Sequence, residues 1–246
     1  MKKTYSRLNL LIRSSLYSFI MIVSSAFHCV LCIMAAPLPL KYRYRLTRLW
    51  MVAMIWLGRV LCHMNYRVEG RHNLLKIKNG ILFSKHQSAW ETIFLAASFD
   101  QAAVIVKREL LWLPFFGWGL ALLRPIAINR KQSRVAMQQI MTQGKSYLDE
   151  GRWVLIFPEG TRVAPGQVGK YRVGGARLAI ESGYPLIPIA HNAGHCWSRR
   201  QFIKQPGLIR VVYGPPIYPE GKTAEEMLEV AKSWIESTMQ ELEGAV

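Results

Sequence analysis

Ile81-Leu82-Phe83-Ser84-Lys85-His86-Gln87-Ser88-Ala89-Trp90-Glu91 opens as a short apolar run and turns polar at Lys85. A run of this length, bounded by a polar loop, reads as a buried strand at 81–84. Ser88 then starts an apolar-periodic stretch, so a helix is expected over Ala89–Ser98. The same pattern recurs about seventy residues later, where Trp153-Val154-Leu155-Ile156 runs into Phe157-Pro158-Glu159-Gly160-Thr161-Arg162. Both polar segments thus sit where a strand ends and a loop begins, which in α/β domains is where chemistry collects.

Further short β-like runs lie at Tyr66–Glu69, Ala103–Lys107, Pro125–Asn129, Leu186–Ala190 and Ile209–Tyr213, with the strand before the second loop read as Trp153–Phe157. Helical patterns separate several of them. Arg134–Glu150 ends at Gly151, and Gly175–Ser182 ends at Gly183, each glycine suited to the residue after a helix. A last helix starts at Thr223 with Glu226 three residues on, a capping box, and carries Met227, Ala231, Trp234, Ile235 and Leu242 on one face. Strand and helix alternate, so the expected fold is α/β with a largely parallel sheet flanked by helices, the final helix packing across it.

The chain has 246 residues and a formal charge of +17, unevenly spread. Residues 1–68 hold ten Lys or Arg and no acid, whereas seven of the fifteen acids fall from Glu220 onward. The positive charge lies beside the greasiest segment, which points to anionic lipid rather than nucleic acid as the partner. From Ser14 to Ala36 there are 23 residues without a charge. As a helix they run roughly 34 Å, enough to cross a bilayer core. Pro37 and Pro39 then interrupt, and a second apolar helix, about Leu46–His63, carries Arg48 and Arg59, which oppose a full crossing. Basic residues flank the first segment on both sides, so a helical hairpin dipping into one leaflet is favoured over a single span. A cleaved signal peptide fits poorly, because the apolar core is too long and Met34-Ala35-Ala36 is a poor cleavage site. The expected organisation is an N-terminal membrane anchor over 1–64 and a catalytic domain over 65–246.

Cys29, Cys32, Cys62 and Cys196 form no disulfide or zinc framework and read as apolar fillers. His191-x-x-x-His195 followed by Cys196 lacks a convincing fourth ligand and reads as a loop with ordinary histidines.

His86 and Glu91 are spaced by five, about 140° apart on a continuous helix and too far round for contact. They meet if His86 lies in the loop and Glu91 in the first helical turn. Glu91 then accepts a hydrogen bond from one imidazole nitrogen and leaves the other as a base for a hydroxyl, the base-and-orienter arrangement of acyl transfer. The competing meaning is that Ser88-x-x-Glu91 is only a capping box and His86 only a loop residue. In the second segment Gly160 lets backbone approach a ligand, and Arg162 offers a planar fork for phosphate oxygens, with Arg130, Lys170 and Arg172 as further candidates. An ordinary turn with a solvated arginine is the alternative there. The run from Leu110 to Trp118 is too apolar for an exposed loop; it suits core packing, an acyl-chain groove or a membrane-facing surface.

In order and spacing these segments resemble the glycerophospholipid acyltransferase family, in particular the 1-acylglycerol-3-phosphate acyltransferases, over about residues 65–215. The family's His-x4-Asp block is matched by Lys85-His86-Gln87-Ser88-Ala89-Trp90-Glu91, with Glu91 in the place of Asp. Arg124-Pro125-Ile126-Ala127-Ile128-Asn129-Arg130 resembles the second block without its glycine, preceded by Lys107-Arg108-Glu109-Leu110 and Pro114-Phe115-Phe116-Gly117-Trp118. Phe157-Pro158-Glu159-Gly160-Thr161-Arg162 matches the third letter for letter, and Tyr184-Pro185-Leu186-Ile187-Pro188-Ile189-Ala190 corresponds to the fourth.

The resemblance implies a glycerolipid acyltransferase-like fold in which His86 deprotonates the free hydroxyl of a lysophospholipid and Glu91 orients His86. Arg130, Arg162, Lys170 and Arg172, with Glu159, Gly160 and Thr161, would bind the acceptor. The hydroxyl attacks the thioester of acyl-CoA or acyl carrier protein directly; no Gly-x-Ser-x-Gly elbow is present to suggest an acyl-enzyme. The implied acceptor is lysophosphatidic acid and the product phosphatidic acid, with membrane phospholipids as partners, no metal, no cofactor and no nucleic acid. The implied location is the bacterial inner membrane, catalytic domain on the cytoplasmic face. A different lysolipid acceptor, or a non-catalytic membrane protein that binds anionic lipid, are the alternatives.

Overall fold

The computed structural model describes residues 5–244. Seven strands form one sheet: β1 (Met64–Glu69), β2 (Ile81–Ser84), β3 (Ala103–Lys107), β4 (Ile126–Ile128), β5 (Val154–Ile156), β6 (Leu186–His191) and β7 (Gly207–Tyr213), ordered β1-β7-β6-β2-β5-β3-β4. Every neighbouring pair is parallel except β6 with β7. Strand ends differ from the sequence reading by one or two residues, as at β1, which starts at Met64 rather than Tyr66.

The central strands are apolar without interruption because both faces of the sheet are covered. Ile81 and Phe83 of β2, with Val154 and Ile156 of β5, face one core; Leu82 and Leu155 face the other. Helices α5 (Ser133–Asp149), α6 (Gly174–Ser182) and α8 (Ala224–Gly244) pack on the first face. Helices α1 (Arg7–Met34), α2 (Leu40–Cys62), α3 (Trp90–Ser98) and α7 (Ala193–Cys196) contribute to the second. The capping box of α8 is reciprocal: Glu226 Oε2 accepts from Thr223 N–H at 2.8 Å and Thr223 Oγ1 from Glu226 N–H at 3.2 Å. Its Met227, Ala231, Ile235, Met239 and Leu242 are buried against the sheet.

The two N-terminal helices form an antiparallel hairpin. Arg13 donates to Leu61 O, Tyr17 OH to Met54 O, and Trp50 Nε1 to Ser24 Oγ, so residue numbers rise on one helix as they fall on the other. The first helix begins at Arg7, capped by Ser6, rather than at Ser14, and the second follows directly on Pro39 rather than starting at Leu46. Hydropathy located the apolar stretches, but basic residues such as Lys41, Arg43 and Arg45 are good helix formers and extend the second one. The hairpin is docked on the sheet domain through Tyr44 OH, which donates to Ala96 O and Ala102 O at 3.0 and 3.1 Å, and through Lys204 Nζ, which donates to Ser18 Oγ at 2.7 Å. On the far side α1 exposes Leu8, Ile12, Phe19, Val23, Phe27 and Val30, one stripe at helical spacing. It has the length and hydropathy to cross a membrane.

The apolar run at 110–118 does not pack in the core. It forms a 3-10 turn, Arg108–Trp112, and α4 (Phe116–Ala121), and leaves Trp112, Phe115 and Trp118 more than half exposed. The core-packing reading of that run is therefore corrected.

Candidate active site

Strands β2 and β5 are adjacent and parallel, with Ile81 beside Val154 and Phe83 beside Ile156, so the loops that follow them leave the same end of the sheet. Three contacts then tie the two loops together. His86 N–H donates to Glu159 Oε1 at 3.3 Å, His86 O accepts from Val163 N–H at 2.8 Å, and the imidazole stacks on Phe157 with centroids 4.0 Å apart. His86 is thereby clamped along its main chain and across one ring face.

Helix α3 begins at Trp90, two residues after Ser88, whose Oγ accepts from Trp90 N–H at 3.1 Å. Glu91 falls in the first turn, as the spacing requires. Its Oε1 accepts from His86 Nδ1 at 2.8 Å, from Ser88 N–H at 2.9 Å and from Gln87 N–H at 3.1 Å. One oxygen of Glu91 thus meets both the backbone ahead of α3 and the imidazole of His86. Burial opposes ionisation of this fully buried carboxyl, but His191, the hydrogen bond from His86 and the backbone donor of Ser88 outweigh it and lower its pKa. An ionised Glu91 only accepts, so Nδ1 carries the proton, and in the neutral ring the lone pair is on Nε2.

Beneath them lies His191, which was read as a loop residue and in fact ends β6, fully buried, its Nε2 against Lys85 O at 2.8 Å. Burial lowers its pKa, against the opposing charge of Glu91. Among the described residues no group of His, Cys, Asp and Glu could hold a metal ion.

His86 lines a cleft of about 370 Å³. Its lining combines apolar side chains, Val104, Ile105, Leu110, Ile128 and Ile156, with the cations Arg130, Arg162, Arg172 and Arg199. Arg130 Nη1 donates to Gly160 O at 2.8 Å, and Arg199 Nη1 to Arg162 O at 3.1 Å, so the two arginine-bearing loops are braced by carbonyls. Partial burial and the neighbouring Arg172 charge lower the pKa of Arg130. Two guanidiniums held this close favour an anion between them. Gly160 has φ of +66°, and a Cβ there would come within 3.2 Å of Arg172 Nε. The left-handed backbone favours glycine at this turn, and any Cβ would press on the Arg172 side chain.

An acyltransferase family model matches residues 65–192, just over half of the chain. The chain belongs to the acyltransferase family. It is 44% identical over 236 residues to the 1-acyl-sn-glycerol-3-phosphate acyltransferase of Pseudomonas aeruginosa, spanning 94% of this chain and 91% of that one. It is 27% identical to 1-acyl-sn-glycerol-3-phosphate acyltransferase alpha of Mus musculus, over 89% of this chain and 79% of that one. Its fold matches the crystal structure of the 1-acyl-sn-glycerophosphate (LPA) acyltransferase, PlsC, from Thermotoga maritima with a TM-score of 0.79 at 21% identity, covering 96% and 97% of the two chains.

Of the site residues expected in this acyltransferase from its sequence, His86, Arg130, Gly160, Thr161, Arg162 and Arg172 line the one cleft. Lys170 lines an adjoining hollow of about 430 Å³ that meets the cleft at Arg130, Gly160 and Arg172. Glu91 stands behind His86. Glu159 is not on the cleft wall: it is buried behind the loop, on His86 N–H and 3.8 Å from Lys85 Nζ. Burial raises its pKa to about 7 despite Lys85.

Several residues escaped the sequence reading. Arg199 gives no spacing signal, following Trp197 and Ser198 in a short loop after α7. Lys85 is fully buried, with Nζ donating to Glu236 Oε1 of α8 at 2.6 Å and to Gln167 O at 3.1 Å. Tyr171 OH donates to the same Glu236 oxygen at 2.7 Å. Farther along α8, Glu243 Oε1 accepts from Gly166 N–H at 2.9 Å and Gln87 Nε2 at 3.3 Å. The last helix therefore grips both active-site loops from below.

Proposed function

We propose that this acyltransferase transfers an acyl group from a thioester, acyl-CoA or acyl carrier protein, to the free hydroxyl of 1-acylglycerol-3-phosphate, giving phosphatidic acid. The reading is carried by one arrangement: the His86–Glu91 pair opens onto a cleft lined both by arginines and by apolar side chains. Such a cleft suits a ligand with a phosphate at one end and a hydrocarbon chain at the other.

His86 Nε2 takes the proton of the acceptor hydroxyl, and the oxygen bonds to the thioester carbon, whose π pair moves onto the carbonyl oxygen. Collapse of the tetrahedral species breaks the C–S bond, and the leaving thiolate takes the proton back from the imidazolium. Glu91 holds the tautomer and offsets the charge on the ring while the proton is there. Arg130, Arg162 and Arg172 hold the phosphate, with Gly160 and Thr161 shaping the turn beside it and Lys170 as a further cation at its edge. Glu159 serves this set from behind, by fixing the main chain of His86.

The same proposal places the anchor over 1–64, with the α1–α2 hairpin in one leaflet of a bacterial inner membrane and the domain over 65–246 on the cytoplasmic face. In that setting the apolar stripe of α1, with Trp112, Phe115 and Trp118, faces lipid, and an acceptor dissolved in the bilayer reaches the cleft without leaving it.

Transfer of labelled acyl groups to a panel of lysophospholipids in detergent tests this. Phosphatidic acid is the expected product, and His86→Ala lowers its rate by about 10²-fold or more. Glu91→Gln keeps the fold and lowers the rate by a similar order. A folded protein that acylates no acceptor, or a His86→Ala variant with normal turnover, would sink the proposal.

A further inference from the structure

A second cleft, about 550 Å³, lies beside the edge strand β1 and is walled by α2, the 3-10 turn Arg71–Leu74 and the second half of α3. It shares no lining residue with the catalytic cleft. Arg48, Arg59 and Arg71 stand around it, and no acidic residue lines it. Arg48 is braced by a hydrogen bond to Ala97 O at 2.8 Å. The guanidinium groups of Arg59 and Arg71 make no hydrogen bond or ion pair among the described residues.

The rim has the opposite character. Val52, Trp56 and Tyr66 line the cleft and are exposed, and Leu75, next to the lining residue Leu74, is 83% exposed. Exposed arginines beside exposed apolar side chains suit a phosphate-bearing amphiphile. A soluble anion would use only the arginines, and an apolar ligand only the rim.

Position selects among amphiphiles. Arg48, Val52, Trp56 and Arg59 recur at three- and four-residue intervals along α2, which packs against α3 and β1. With the hairpin in one leaflet, a reading on which this inference rests, the arginines lie where the phosphates of the surrounding bilayer are.

We propose that this cleft binds an anionic bilayer phospholipid, its phosphate on Arg59 and Arg71 with Arg48 behind, and its chains over Val52 and Trp56. Such a lipid joins the hairpin to the edge of the sheet and sets the depth at which the domain sits. It is neither acceptor nor product in the transfer reaction.

The test uses the full chain in phosphatidylcholine vesicles doped with photoactivatable phosphatidylglycerol or with phosphatidylethanolamine carrying the same tag, followed by mapping of the labelled peptides. Label from phosphatidylglycerol is expected on α2 and the turn at 71–75, well above that from phosphatidylethanolamine. Arg59→Gln combined with Arg71→Gln should reduce it about tenfold, while pelleting with vesicles and acyl transfer in detergent stay as in the wild type. Equal labelling by both lipids, or labelling indifferent to the double variant, overturns the inference while leaving the hairpin standing. Complete protection by millimolar inorganic phosphate makes this a soluble-anion site and overturns it too. A protein that fails to pellet with either vesicle overturns the hairpin and this inference together, whatever the acyl-transfer assay gives.

Discussion

Lys85 and His86 are consecutive residues, yet the two sides of their loop are built in opposite ways. On the cleft side His86 is partnered by Glu91, five residues on, and the geometry follows from where one helix starts. On the underside Lys85 is partnered by Glu236, separated from it by 151 positions. The cleft side remains partly open to receive a ligand, whereas the underside is closed by a helix from the far end of the chain. A reactive group can be oriented by local sequence. A buried ammonium needs a counter-charge brought in by the fold, because an unpaired charge in a dry interior costs more than the chain can spare.

The comparison breaks most visibly at Glu236. Glu236→Ala leaves Lys85 buried and short of its closest counter-charge, and is expected to cost about 3–5 kcal/mol, read as a fall in thermal stability in detergent. Glu236→Gln, which can still accept from Lys85 and Tyr171, should recover most of the loss. His86→Ala, on the open side, should cost less, about 1.5–3 kcal/mol for the hydrogen bond lost to Glu91, which keeps its two backbone donors. If His86→Ala and Glu236→Ala destabilise alike, the two sides do not differ in the way described.

Glu159 sits between the sides and sharpens the contrast through pH. Its folded pKa of about 7 lies above the ordinary 4.5, so the folded protein holds a proton that the unfolded chain releases. Stability from this group is complete below the lower value and is lost as pH rises through the upper one, on the order of 3 kcal/mol in all. Glu159→Gln is expected to flatten the profile and to be the more stable form at pH 8. An unchanged slope between pH 5 and 7 would show that Glu159 is ionised throughout.

The smallest effect is expected at the turn shared by both sides. Gly160→Ala must hold a left-handed backbone with its Cβ against Arg172, at about 1–2 kcal/mol. Because Arg130 also bonds Gly160 O, KM for the acceptor should rise more than kcat falls. A loss confined to kcat would place the defect at His86 instead.

The legible parts of this molecule are those whose signals are short. Short β-like runs located the strands, most plainly the central β2, β5 and β6, because a strand buried on both faces has little room for a polar residue. Thr223 and Glu226 announced α8, and the spacing of His86 and Glu91 announced their contact. The illegible parts have identifiable reasons. The run at 110–118 was as apolar as a core segment, and composition does not distinguish burial by protein from exposure beside a hydrophobic hairpin. His191 was misread as a loop residue because its strand ends in a polar side chain that the fold buries. Glu159 belongs to a motif that suggests ligand contact, and only the packing of the two loops turns it inward.

The sequence by itself determined the alternation of strands and helices, the apolar N-terminus and the order of the active-site segments, since each is written in patterns a few residues long. The tertiary structure decided which arginines gather in the cleft, that Glu91 and Glu159 both lie buried behind it, and that α8 closes the site from below. Those choices rest on pairings of charge and shape between residues far apart in the chain, and their strength is set by a burial that exists only once the sheet and its helices have assembled.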